Sequence, residues 1–252
     1  MRLGELKPVF HSDEGHRAIF KSSVQLYLDL RDQQISQKNR IKAKYYHAGV
    51  PRLDGQCVFD AKHRESYLHM LPNKARRAML LHLYAVLDAT LAAQETAFKD
   101  IMRLGKKYSE IKQFMEMPGI GPVGAHVFGA FIQTPYRFAT KQKLWKYCRL
   151  GIVERSSAGK PLAYKRLNKA GVGELKAVSY RAFHAALRSS RPNEVARFYE
   201  ASLQNTNHNT ARARLNTQRK VLAVLCDWQS QKRVWLCSCL PWGHRNSLTC
   251  WW

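Results

Sequence analysis

Acidic residues are scarce. The chain of 252 residues holds 18 Asp and Glu against 42 Lys and Arg, a formal net charge of +24. That imbalance favours a polyanionic partner, with nucleic acid ahead of a membrane surface. No basic amphipathic anchor stands out to support the membrane. Long apolar runs are missing too: none approaches the roughly 20 residues that span a bilayer. The opening segment "MRLGELKPVFHSDEGH" lacks the apolar core of a secretion signal. Cysteine is sparse. Cys57, Cys148, Cys226, Cys237, Cys239 and Cys250 are scattered and form no paired CxxC repeat. Reduced thiols in a cytoplasmic setting are therefore the expectation.

A hydrophobic content of 45% excludes wholesale disorder. The length suits one large domain or two small ones with a sizeable core. The charge is uneven. Lys141 to Arg233 contains 20 Lys/Arg and 5 Asp/Glu, a net +15, whereas the remainder carries +9. The basic surface is thus expected in the C-terminal half.

Periodicity predicts a mainly α protein. A long helix is expected from about Asp13 to Ala48, with Ile19, Val24, Leu28, Ile35, Ile41 and Tyr45 near helical spacing. Gly49 and Pro51 stop it. An irregular stretch follows to Pro72. A second long helix is expected from about Asn73 to Lys107, where Leu80, Leu83, Leu87 and Leu91 make a stripe. That stripe suits either core packing within the chain or a coiled-coil seam between two copies. Ser109 is expected to cap a short helix, "SEIKQFMEM", and an apolar helix begins near Pro122, a favourable first position. Further helices are expected from about Thr140, near Val172 and from about Thr210 to Lys232. The last 18 residues, "WLCSCLPWGHRNSLTCWW", differ in kind, with four of six tryptophans and three of six cysteines. They offer no second ligand pair at zinc-site spacing. A frame-shifted terminus over 234–252 is the expectation.

Three stretches could carry chemistry. "MPGIGPVGAHVFGAF" resembles a helix-hairpin-helix turn. Gly119 and Gly121 permit unusual backbone angles and close approach, and the free N–H groups at the next helix start could hold a phosphate. The competing reading is a purely structural corner. Both glycines are expected to matter, so that Gly121→Val weakens folding or binding. The second stretch, "ERSSAGK", reads as a flexible loop with two hydroxyls among basic residues. A serine nucleophile needs a base and stabilisation of charge in its transition state. Arg155, Lys160, Lys165 and Arg166 could stabilise phosphate oxygens, but no base is identifiable from spacing. The third, "RLNKAGVGELK", continues the basic strip through Lys169 and Lys176.

These pieces occur in an order that resembles the insertion-sequence transposases of the IS one-ten group, also called the one-sixteen/one-ten/nine-oh-two transposases. The resemblance runs over about residues 2–233. It rests on "MPGIGPVGAHVFGAFI", "RFATKQKLWKYCRLGIVERSSAGK", "RLNKAGVGELK", "NEVARFYEASL" and "RKVLAVLCDW". It implies a DNA recombinase with a RuvC-like domain, a coiled coil and a C-terminal serine transposase domain. On that pattern 1–72 is a remnant of the RuvC-like α/β domain, 73–108 the coiled-coil linker and 109–233 an α-helical transposase domain.

The resemblance further implies magnesium on an Asp-Glu-Asp-Asp tetrad, a transient serine–DNA phosphodiester, DNA ends and target as partners, and a structured noncoding guide RNA. A bacterial, nucleoid-associated location and pairing of copies through the coiled coil belong to the same picture. The nucleophile carries over to Ser157, or to its neighbour Ser156. The tetrad's Lys-x-Asp-x-x-Asp-Ala pattern has no match here, and Asp13 and Glu14 are poor substitutes. The expectation is an N-terminally truncated transposase whose metal site is absent and which does not transpose alone. The alternative is a noncatalytic helix-hairpin-helix nucleic-acid-binding protein.

Overall fold

Amphipathic segments closed by glycine, proline and polar caps give a mainly α fold in the computed structural model, which describes residues 15–50, 52–153, 156–157, 160–161 and 166–230. Of 156–157, 160–161 and residue 230 only the backbone is described. The helices are α1 (His16–His47), α2 (Arg64–His69), α3 (Lys74–Gly105), α4 (Ser109–Met115), α5 (Pro122–Ile132), α6 (Lys141–Tyr147), α7 (Gly173–Arg188), α8 (Glu194–Asn205) and α9 (Thr210–Ser230). The described residues form two compact units, one of Ser22–Leu104 and one of the described residues on either side of it.

The Ser22–Leu104 unit packs α1 and α3 around Ile41, Tyr45, Leu71, Leu80, Tyr84 and Leu87. Leu83 and Leu91 pack against the same cluster. The leucine stripe of α3 therefore enters this chain's own core. On α1, Ile35 is half exposed, while Val24, Leu28, Ile41 and Tyr45 are buried. The stretch read as irregular contains a 3-10 turn, Cys57–Phe59, and α2. Arg64 fixes it: its guanidinium donates to both carboxylate oxygens of Asp88 at 2.6 Å and to the Phe59 carbonyl, and it lies 4.6 Å from the Tyr84 ring centroid. Tyr84 donates its hydroxyl to the Val58 carbonyl at 2.8 Å and meets the Tyr45 hydroxyl at 3.2 Å.

In the other unit α5 is the central element. Every residue from Ala125 to Ile132 is buried, so the helix beyond its first turn is enclosed on all sides. Phe128 meets Phe114 of α4 edge-on, with centroids 5.0 Å apart. His126 is enclosed with them. Its Nδ1 lies 2.7 Å from the Pro122 carbonyl, and burial pushes its pKa down, which favours the neutral ring. Val221 to Asp227 of α9 form another buried run. Ser109 is the first helical residue of α4 rather than its cap: Tyr108 holds the cap position and makes no side-chain cap bond. The cap expected of Ser109 is therefore corrected. The cap of α8 is Asn193, which accepts from the Ala196 N–H at 3.0 Å and donates to the Ala186 carbonyl at 2.8 Å, joining the end of α7 to the start of α8. Among the described residues no helix is long and apolar enough to cross a membrane, and the described cysteines Cys57, Cys148 and Cys226 are free.

Candidate nucleic-acid interface

The glycine turn closes α4 and opens α5, and its two glycines do different things. Gly119 has φ +84°, in the left-handed region. A Cβ added there would run into the Ala182 carbonyl oxygen, and would lie 2.9 Å from the Ala182 carbonyl carbon and 3.0 Å from the Ala186 nitrogen. The turn is thus packed directly on the backbone of α7. Gly121 is the N-cap of α5, with ordinary extended angles, and an added Cβ would meet nothing within 4 Å. It is exposed, and so is Pro122. Sterically Gly121 need not be glycine: the site has room, and its φ of −91° is open to other residues. Gly119 faces the protein, while Gly121 faces open space at a helix N-terminus.

The serine stretch is not simply a loop. Strand β1 (Ile152–Val153) pairs antiparallel with β4 (Arg166–Leu167), and β2 (Ser156–Ser157) pairs with β3 (Lys160–Pro161). Ser157 is in register with Lys160, and Ser156 with Pro161. Both candidate nucleophiles therefore lie on one paired arm, and Ser157 has a basic residue opposite it. The side chains of Ser156, Ser157 and Lys160, and all of Arg155 and Lys165, lie outside the described residues.

The root of the arm is held firmly. The Trp145 carbonyl accepts from the N–H groups of Leu150 and Gly151 at 2.8 and 2.9 Å, while Arg149 takes a positive φ of 57°. With the Arg149 N–H on the Lys146 carbonyl, this is a helix C-terminus of the Schellman type. The returning chain is tied to the same place. The Asn168 N–H donates to the Gly151 carbonyl at 2.7 Å, and the Val172 N–H to the Tyr147 carbonyl at 2.7 Å. Gly171, at φ +110°, permits that approach, since a Cβ would press on the Tyr147 carbonyl. Arg149 Nε then donates to the Gly171 carbonyl at 2.8 Å.

Arg166 sits in β4 and Lys169 just beyond it, both exposed, and Lys176 is half-buried in the first turn of α7. These three follow the arm in chain order. Among the described residues no three His, Cys, Asp or Glu side chains gather where they could hold a metal ion. Asp13 and Glu14 lie outside the described residues.

Sequence reasoning missed a cavity beside the root of the arm. Its volume is about 480 Å³, and it lies between α6, α8 and α9, lined among others by Trp145, Phe198, Asn216, Arg212, Arg219 and Lys220. Arg219 donates twice to the Leu150 carbonyl, at 2.9 and 2.6 Å, and lies 4.9 Å from the Trp145 ring centroid. The indole N–H of Trp145 donates to the Arg219 carbonyl at 3.3 Å. Lys220 is buried, its Nζ 5.9 Å from the Phe198 ring centroid. Burial pulls the Lys220 pKa down to about 8, with Asp227 opposing that shift and Lys141 adding to it.

Compared with known proteins, residues 111–200 match the family described as "Transposase IS116/IS110/IS902 family". No curated protein matches the chain.

Proposed function

We propose, from the match of residues 111–200 to the IS116/IS110/IS902 transposase family, that the arm bearing Ser156 and Ser157 is a strand-cleaving element. One observation carries the reading. The matched segment contains both candidate serines, both turn glycines and Arg155, Lys160, Lys165, Arg166, Lys169 and Lys176. The hydroxyl oxygen of Ser157, with Ser156 as the alternative, forms a bond to phosphorus and displaces a sugar oxygen, which leaves with a proton. The serine–DNA phosphodiester keeps the bond energy, so a hydroxyl from a second strand end can reverse the step and rejoin DNA. The basic residues stabilise the phosphate oxygens as charge builds. Gly121 and the exposed start of α5 add a sequence-independent phosphate contact.

The family's metal chemistry needs an acidic tetrad, which the described residues do not gather, so the part these residues play is to bind and position nucleic acid. A family transposase that carries the tetrad supplies the metal site in trans. Pairing of copies through α3 must then use residues other than Leu80 and Leu87, which this chain's own core takes.

The test is adduct trapping. Element-end DNA with a nick that prevents rejoining is incubated with the chain plus a full-length family transposase whose own serine is removed. Denaturing gels should show a protein–DNA adduct that Ser157→Ala abolishes. An adduct that survives in both Ser157→Ala and Ser156→Ala would refute the serine assignment. Excision or joining by the purified chain alone would refute its dependence on a metal site supplied in trans.

A further inference from the structure

The cavity between α6, α8 and α9 is a cleft open to solvent, with Asn205 and Arg212 exposed in its lining. It brings together Trp145 and Phe198 with three cations, Arg212, Arg219 and Lys220. None of its described lining residues is acidic. Arg219 is oriented before any ligand arrives, because both of its bonds to the Leu150 carbonyl use one edge of the guanidinium. Its Cζ lies 4.9 Å from the Trp145 ring centroid. Planar guanidinium and aromatic faces are the surfaces on which nucleic acid bases stack. Arg212 stands exposed at the rim, and Asn216, which donates to the Ser202 hydroxyl at 3.3 Å, adds a polar edge in the wall. The volume of about 480 Å³ suits a small ligand and is far too narrow for a duplex.

Position adds to composition. The carbonyl that Arg219 holds belongs to Leu150, two residues before β1. The backbone of Trp145 itself accepts from Leu150 and Gly151. Anything seated in the cavity therefore touches the residues that anchor the arm.

We propose that this cavity is a pocket for one unpaired nucleotide, its base stacked on the Trp145, Arg219 and Phe198 surfaces and its phosphate drawn to Arg212 and Lys220. The pocket rests on the reading of the chain as a nucleic-acid-binding protein and sharpens it. It holds a base that has left its duplex, next to the arm that cuts. The shared chemistry is a base with its phosphodiester, which either a DNA strand or an RNA strand can present.

Photo-cross-linking tests it. The full chain is irradiated with oligonucleotides carrying a 5-iodinated pyrimidine, as single-stranded DNA, single-stranded RNA or fully paired duplex, and the modified peptides are mapped. Cross-links from a single strand should fall on Trp145 or Phe198 and be absent with the duplex. The strand that labels better identifies the source. Phe198→Leu, which keeps an apolar side chain, should weaken single-strand binding about tenfold and leave duplex binding unchanged, and Arg212→Gln at the exposed rim should weaken single-strand binding about tenfold and duplex binding much less. Single strands that cross-link only to the arm or α7, with both variants binding as wild type, would overturn the pocket and leave the nucleic-acid reading intact. A chain that binds no oligonucleotide at all would overturn both.

Discussion

Substitution of the two turn glycines separates what holds the fold from what meets a ligand. Gly119→Ala places a Cβ against the α7 backbone at Ala182 and Ala186, and forces alanine into a φ of +84°. The left-handed angle costs about 1–2 kcal/mol. Overpacking against a backbone that cannot rotate away costs about 1–3 kcal/mol more. The sum, about 2–5 kcal/mol, is a large part of the roughly 5–15 kcal/mol that stabilises an ordinary domain. Thermal melts should therefore fall by roughly 5–15 °C. Gly121→Asp is the opposite case. Its Cβ meets nothing, and its carboxylate can cap the N–H groups of α5, which have no side-chain cap. It should leave stability unchanged or raise it by about 0.5 kcal/mol. It should nevertheless weaken nucleic-acid binding, because a fixed negative charge now stands where a phosphate would sit. Circular dichroism melts and fluorescence anisotropy at one fixed salt concentration read the two effects. A Gly119→Ala protein that melts with wild type would refute the packing argument. A Gly121→Asp protein that binds with unchanged affinity would refute phosphate contact at the turn.

Buried polar groups give two more expectations. Lys220 is charged in both folded and unfolded states below about pH 8, so the cost of burying its charge is fully present there. Between about pH 8 and 10.5 the folded lysine has lost its proton and the unfolded one has not, so stability from this group rises with pH. Lys220→Met should remove that rise. The difference between variant and wild type should change by at most about 3 kcal/mol across the window in denaturant titrations, and a constant difference would refute it. The charged groups that act on Lys220 there are Asp227 and Lys141, and Arg212 and Arg219 share its cavity. In the Ser22–Leu104 unit, Tyr84→Phe removes the donor to the Val58 carbonyl and the partner of the Tyr45 hydroxyl. It should cost about 1–3 kcal/mol in urea unfolding, and no change in midpoint would show that water replaces those bonds.

The long helices were legible because their signals are local. A period of 3.6 and the stop at Gly49 predicted a helix from about Asp13 to Ala48, and α1 runs His16–His47. Leucines three or four apart predicted about Asn73 to Lys107, and α3 runs Lys74–Gly105. The missed α8 also had a local signal, Asn193 standing immediately before Glu194 in the cap position. Two-residue strands have no such signal. Ser156 and Ser157 read as a small-residue loop, and their pairing with Lys160 and Pro161 follows from a register that no periodicity over two residues can specify.

By itself the sequence determined a basic, mainly helical chain, because charge is additive and helical periodicity is written in neighbours three and four apart. It also held the ordered motifs of the segment that matches the transposase family. Only the tertiary structure decided which glycine is structural, since the atoms that crowd Gly119 belong to Ala182 and Ala186, more than 60 positions along the chain. Only it decided that the leucines of α3 pack within the chain. It alone brought Trp145 to Arg219, 74 residues apart, because that contact is made by the packing of helices and leaves no mark on the residues beside either one.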